Sequence, residues 1–320
     1  MKHLVDSVCA VIVTYNRLSM LKECIESLLM QTYPVDKILI INNNSTDGTY
    51  EFLKEAQKKW GVIQAFNLES NIGGAGGFSK GVDIAFKQNY DWVWIMDDDA
   101  EPQENCLESL INFKQDTKDT LGFIAPVIIN KYSKEIQNYH HKYLNKFLTQ
   151  DTPVEIDKIK TLDSIEIDAN AFVGPLISKK AIQQVGSPRA DFFIWLDDTE
   201  YTYRISRNMK SYLVSNAIIY HKDNATNNSN DVGNFWKVCY GIRNRYLWID
   251  SSLKGTVKIL ASLKVLSVIL KKYLEIVIKK EWMHNRKLGI RYLARLLLCC
   301  LSKKTGKFII PEEYLSRVKN

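Results

Sequence analysis

From Val8 to Tyr15 the chain runs Val-Cys-Ala-Val-Ile-Val-Thr-Tyr, an unbroken β-branched and apolar stretch of the kind that forms a strand buried on both faces of a parallel sheet. Spacing then changes to the helical period, with Leu18, Leu21, Ile25, Leu28 and Leu29 on one face through Gln31 and Pro34 ending the segment. The same alternation repeats: a strand from Lys37 to Ile41, an Asn-rich turn from Asn42 to Ser45, a capped helix from Thr46 or Asp47 to about Lys59, and a strand from Val62 to Phe66. A glycine-rich turn, Asn71 to Gly77, leads into a helix through Phe86, and Trp92 to Met96 form a strand that stops at Asp97-Asp98-Asp99. Successive strand–helix units predict an α/β fold with a doubly wound, mainly parallel sheet. In such sheets ligands sit beyond the carboxyl ends of the strands, where the turns at 14–17, 42–48, 71–77 and 97–99 all fall.

Past Val127 the pattern loosens into a polar stretch, Asn130 to Asp163, which reads as an insertion or a hairpin and offers little chemistry. Order returns with strand-like runs at 165–170 and 172–178, a helix from Lys179, a helix beginning near Asp197, and a strand from Tyr212 to Tyr220 ending at His221. Lys222 to Val232 has the Asn, Asp and Ser content of a surface loop or a lid. After Phe235 the chain is helical to near its end. This divides it into residues 1–233, the sheet-bearing domain, and 234–320, a helical region.

Charge sharpens that division. Residues 251–320 hold 16 Lys and Arg against 4 Asp and Glu, a net +12, whereas the overall net charge is only +7. The basic character therefore belongs to the helical end, on a mildly acidic body. Its apolar positions (Val257, Ile259, Leu260, Leu263, Leu266, Leu270, Leu274) are broken by Lys258, Lys264, Lys271 and Lys272, too often for a span of about 20 uncharged residues. Such helices suit a membrane surface or a second subunit. Nucleic-acid binding is not expected, since no recognition signature or interleaved aromatics accompany the charge. Six cysteines without a C-x-x-C pair suggest neither zinc nor a disulfide framework, and the short polar N-terminus is unlike a signal peptide, so a reducing cytosol is the expected setting.

The three aspartates are the sharpest chemical feature. Adjacent carboxylates repel, and a divalent cation, a hydrogen-bonded loop or plain solvation as an acidic turn could each offset that.

Five segments in order, Ala10–Arg17 (Ala-Val-Ile-Val-Thr-Tyr-Asn-Arg), Asn42–Thr49 (Asn-Asn-Asn-Ser-Thr-Asp-Gly-Thr), Asn71–Phe78 (Asn-Ile-Gly-Gly-Ala-Gly-Gly-Phe), Met96–Asp99 and Trp195–Tyr201 (Trp-Leu-Asp-Asp-Thr-Glu-Tyr), resemble the inverting family 2 glycosyltransferases with a GT-A fold over about residues 8–250. Within that family they are most similar to UDP-galactofuranose-dependent galactofuranosyltransferases, with dTDP-rhamnose-dependent rhamnosyltransferases as neighbours. The resemblance implies that Asp97, Asp99 and His221 hold a divalent metal, Mn²⁺ in preference to Mg²⁺ because imidazole is a ligand. It implies that Asp198 is the catalytic base, that Asp98 faces the donor, and that Thr14, Asn16, Arg17, Asn42, Asn71, Gly73, Gly74, Gly76 and Gly77 bind the nucleotide sugar. Trp195, Asp197, Glu200 and Arg243 are the corresponding candidates for the acceptor. Where many members carry an Asp for the uracil, this chain has Asn42.

Together these features lead us to expect an enzyme that transfers a sugar from a nucleotide donor to a lipid-linked glycan of the cell surface. It would work peripherally at the inner face of the cytoplasmic membrane, docked through its basic helices, and could form a homo-oligomer. A sugar-nucleotide-binding protein without catalysis is the expectation from a different class.

Overall fold

The computed structural model describes residues 6–222 and 232–319. Most of the segment expected to be a surface loop or a lid, 223–231, lies outside the described residues. Two compact units are present. The first comprises 6–143, 152–190 and 198–222, the second 144–151, 191–197 and 232–319.

The first half of the chain forms β1 (Val8–Thr14), α1 (Leu18–Leu29), β2 (Lys37–Asn42), α2 (Thr49–Lys59), β3 (Ile63–Asn67), α3 (Gly73–Lys87), β4 (Trp92–Asp97), β5 (Ala100–Pro102), α4 (Cys106–Asp116) and β6 (Leu121–Asn130). There follow β7 (His141–Leu144), β8 (Asp151–Pro153), α5 (Ile156–Thr161), β9 (Ser164–Glu166), β10 (Ala169–Asn170), β11 (Val173–Ser178), α6 (Lys179–Val185), α7 (Asp197–Ser206) and β12 (Lys210–His221). The main sheet runs β3-β2-β1-β4-β11-β6-β12-β5, with β9 also on β12. Pairs β3/β2, β2/β1, β1/β4 and β6/β12 are parallel, while β11 runs antiparallel to both β4 and β6. The polar stretch after Val127 thus holds short strands and a helix.

All seven residues of β1 are buried, and they alternate between two cores. Val8, Ala10 and Ile12 share one with Leu21, Ile25 and Leu28 of α1 and Leu107 and Leu110 of α4. Cys9, Val11 and Val13 share the other with Phe78, Val82 and Ala85 of α3. Helix α3 lies directly on the strand: a Cβ at Gly81 would stand 2.3 Å from Val11 Cγ1, and one at Gly77 would stand 2.6 Å from Val13 Cγ1.

The second unit contains α8 (Phe235–Ser252), α9 (Gly255–Ile278), α10 (Arg286–Leu301) and α11 (Pro311–Lys319). Its core is aromatic, with Phe235, Trp236, Tyr240, Trp282, Tyr292, Phe308 and Tyr314. Only Ala261, Val265, Ile269 and Ile276 of the long helix α9 are buried. Among the described residues, no helix is long and apolar enough to cross a membrane.

Candidate active site

Sheet register assembles the site from distant parts of the chain. Val13 pairs with Asp97, and Thr14 with Asn42, so the turns after β1, β2 and β4 leave one edge together. From Asp97 the chain crosses through Asp98 and Asp99 to β5, which pairs antiparallel with β12 so that Ala100 faces His221. The backbone N–H of Lys222 then donates to Asp99 O at 3.1 Å. That crossing joins the aspartates to a histidine far along the chain.

Asp98 and Asp99 are buried. Thr14 Oγ1 donates to Asp98 Oδ2 at 2.7 Å, and Arg17 Nη1 reaches Asp98 Oδ1 at 3.2 Å and Asp99 Oδ2 at 2.8 Å. Three residues expected at the donor are thereby brought together, although Asp98 is engaged by the protein at both oxygens, not directed freely at a ligand. Burial raises the Asp98 carboxyl to about 6 against the opposing pull of Arg17. Asp99 is buried as well, beside the Arg17 guanidinium, whose charge favours the ionised carboxylate.

His221 Nδ1 lies 2.9 Å from Gln137 Oε1, an acceptor, and therefore donates to it. A neutral ring then turns its Nε2 lone pair toward Asp99 Oδ1, 3.3 Å away. That oxygen is buried without a hydrogen-bond partner. Two electron-pair donors facing one another, one an orphaned carboxylate oxygen, suit a divalent cation. The three-ligand set expected from sequence is not closed: among the described residues no group of three or more His, Cys, Asp and Glu side chains gathers about one point. Asp99 and His221 form the pair, and Asp97 ends β4 just before it. Beside them Lys222, also buried, pairs with Glu23 at 2.6 Å and Glu101 at 3.2 Å and anchors the end of β12.

The neighbouring turns are cross-linked by asparagines. Asn16 adopts φ 54° and accepts from Thr46 N at 2.7 Å. Asn42 is committed at both ends of its amide, accepting from Ser45 N at 3.0 Å and donating to Asn67 Oδ1 at 2.8 Å, which argues against it as a dedicated base reader. Asn43 ties this turn to the glycine segment by donating to Gly73 O at 2.9 Å and accepting from Ile72 N at 3.0 Å. Asn71 Oδ1 accepts from Gly73 N at 2.8 Å. The glycine segment differs in shape from the expected turn. Its glycines open α3 instead of forming a long wrapping turn, Gly77 serves the approach to β1, and a Cβ at Gly76 would meet Ile72 Cγ1 at 2.8 Å. A Cβ at Gly74 would meet nothing within 4 Å. Likewise α2 starts at Thr49, after Gly48 at φ 87°, and Asp47 serves both helix starts, its Oδ2 accepting from Leu18 N at 2.9 Å and its Oδ1 from Thr49 Oγ1 at 2.6 Å.

Asp198 stands in the first turn of α7, half-buried, with Oδ1 accepting from Thr199 N and from Thr199 Oγ1 at 3.0 Å. Lys142 Nζ lies 2.9 Å from the same hydroxyl. Asp197 opens the helix and is buried. Glu200 departs from expectation: it is buried and bidentate with Arg204, at 2.9 and 3.1 Å, which removes it from the acceptor. Arg243 departs too. It is fully buried in the second unit and donates to Phe192 O, Gly306 O and Asn244 Oδ1, so it cannot meet a substrate phosphate. Trp195, by contrast, is 41% exposed.

Behind α7, Thr202 Oγ1 accepts from Asn170 N at 3.0 Å, and Asn170 Oδ1 lies 2.6 Å from His141 Nδ1. His141 is fully buried, and burial pushes its pKa from 6.5 to about 4 despite that hydrogen bond. The unfolded chain therefore takes up this proton near pH 6.5 and the folded chain only near pH 4. Folding stability should fall as pH drops through that window, by about 3 kcal/mol for this group. Urea unfolding at pH 7 and pH 4.5 should show the loss, and His141→Gln should reduce its slope; an unchanged slope would count against His141 as its source.

The sequence profile described as Glycosyl transferase family 2 matches residues 9–173, more than half of the 320-residue chain. A galactofuranosyltransferase, GlfT1, of Mycolicibacterium smegmatis is 24% identical over 63% of this chain and 66% of its own length. The enzyme of the same name from Mycobacterium tuberculosis is 32% identical over 39% of this chain and 40% of its own. The chain thus spans between two fifths and just under two thirds of these relatives. Among solved structures, GalNAc-T7 with UDP, GalNAc and Mn²⁺ superposes with a TM-score of 0.61 at 16% identity, covering 95% of this chain and 59% of that one. The mainly parallel mixed sheet is accordingly of the GT-A type. With the profile lying over β1 to β4, the aspartate crossing and the start of β11, this chain belongs to glycosyltransferase family 2.

Proposed function

We propose that the chain is an inverting, divalent-cation-dependent transferase that moves galactofuranose from UDP-galactofuranose to a hydroxyl of a lipid-linked surface glycan. The observation that carries this reading is the buried Asp99 Oδ1, without a hydrogen-bond partner and 3.3 Å from His221 Nε2, beside the turns after β1 and β2. Family membership, the galactofuranosyltransferases among the relatives and a structural neighbour holding UDP and Mn²⁺ support it. Asp99 and His221, with Asp97, would hold the cation, Mn²⁺ before Mg²⁺. When bound, it supplies positive charge against the charge that develops on the departing diphosphate.

The remaining chemistry belongs to the chain. Asp198 takes the proton of the acceptor hydroxyl while that oxygen attacks the anomeric carbon opposite the leaving group; the glycosidic bond forms as the bond to UDP breaks. Thr199 holds one oxygen of Asp198 in place and leaves the other for the proton. Arg17, with half its side-chain surface exposed, lies between Asp98 and Asp99 and opposes the rise that burial gives the Asp98 carboxyl. Because Asn42 offers no dedicated uracil contact, a dTDP-rhamnose donor is the second reading. Titrating each donor into the protein with Mn²⁺ separates them: UDP-galactofuranose should bind at least about tenfold more tightly, and the reverse order would reassign the donor.

The basic helices support placement at the inner face of the cytoplasmic membrane. Ile259, Leu260, Leu263, Leu270, Leu274 and Ile278 of α9 are exposed by 48% to 72% among lysines, an arrangement that lies in an anionic lipid interface. Leu270→Glu with Ile278→Glu should lower partitioning onto phosphatidylglycerol vesicles by about tenfold or more. Unchanged partitioning would point to a second subunit as the partner of this face.

A further inference from the structure

The segment that leads into α7 is held against its conformational preference. Phe193, Trp195 and Leu196 adopt φ of 67°, 66° and 72°, the left-handed region that bulky L-residues avoid. Two residues of α8 hold it there. Asn244 Nδ2 lies 3.1, 3.0 and 2.7 Å from the carbonyl oxygens of Phe192, Ile194 and Trp195. Its Oδ1 accepts from Arg243 Nε and Nη2 at 2.9 and 2.7 Å. Arg243 also donates to Phe192 O at 2.9 Å, and its guanidinium lies 4.9 and 4.7 Å from the ring centroids of Tyr240 and Phe308. Both Arg243 and Asn244 are fully buried.

One turn earlier on α8, a Cβ at Gly241 would stand 3.0 Å from Trp195 Cε3, so the indole lies along the helix. Trp195 nevertheless keeps 41% of its surface exposed. Burying a guanidinium among neutral oxygens is costly, and a turn that had only to close could use glycine. What this arrangement achieves instead is an aromatic ring fixed with one side on protein and one side in water, the placement in which indoles serve recognition.

We propose that Arg243 and Asn244 are positioning residues that lock Trp195 as a preformed platform for a sugar ring of the acceptor. The proposal rests on the transferase reading above and deepens it, since a ring fixed in advance need not be ordered when the acceptor binds. Arg243, expected from sequence to touch the acceptor, acts through Trp195.

Steady-state kinetics of the full chain with UDP-galactofuranose and a panel of octyl glycosides tests it. Trp195→Ala should raise the acceptor KM by about tenfold, with kcat and donor Kd changed by less than about threefold, and Trp195→Phe should recover most of the loss. Asn244→Ala should give the same signature, and the double variant should be no worse than either single one. Gly241→Ala, which pushes a methyl group against the indole, supplies the readout if Asn244→Ala does not fold. Additive effects in the double variant, or an unchanged acceptor KM in Trp195→Ala, would overturn the platform. Wild-type protein inactive on every glycoside with UDP-galactofuranose and also with dTDP-rhamnose would overturn the transferase reading itself, and the platform with it.

Discussion

Asp198→Asn is expected to lower kcat by about 10³-fold while donor Kd stays within about twofold. The substitution preserves shape, and the Thr199 N–H and hydroxyl that now bond Asp198 Oδ1 can still reach an amide oxygen. What is lost is the capacity to take a proton from the acceptor. A base that acts only in the chemical step should therefore separate turnover from binding. Measuring product release alongside UDP-galactofuranose titration checks this, and turnover equal to wild type would remove Asp198 from that role. If donor binding fell in parallel, the residue would be holding the site together instead.

The second large effect concerns the cation. Treatment with EDTA should abolish turnover and Mn²⁺ should restore it, whereas His221→Ala should require at least about 10²-fold more Mn²⁺ for half-maximal donor binding. Gln137→Leu should weaken Mn²⁺ binding by about 10- to 100-fold without removing a ligand, because Nδ1–H loses the acceptor that fixes the tautomer and orientation of the ring. Turnover indifferent to EDTA would mean that Asp99 and His221 are an ion pair of the fold. The Gln137 variant distinguishes further, since an ion pair of the fold would lose stability there with no Mn²⁺ titration to shift.

Gln137 also shows where sequence reasoning stops. The strands β1, β2 and β4 were legible because an unbroken apolar run has few alternatives, and the aspartates because three carboxylates at a strand end are conspicuous. Gln137 sits in a polar stretch with no periodicity, and its value lies in one contact across the fold. Glycine was legible as a residue but not as a role: nothing local distinguishes a glycine that meets a ligand from Gly77, which lets α3 meet Val13. Glu200 and Arg243 were read as chemistry because charge near a motif suggests it. Their burial against Arg204 and against backbone carbonyls depends on tertiary partners that no spacing encodes. Resemblance to a family carried the residue roles further than periodicity could.

The crossing from β4 to β5, the strand antiparallel to β12, has a bearing on how this chain tolerates change. Asp99 lies in the turn just before Ala100, and Ala100 is paired with His221, so one residue more or fewer ahead of that pair would move the Asp99 carboxylate out of reach of the imidazole. Insertions or deletions between Met96 and Ala100 should therefore be far more harmful than substitutions at the same places. Length, as much as side-chain identity, is what this stretch must preserve through descent.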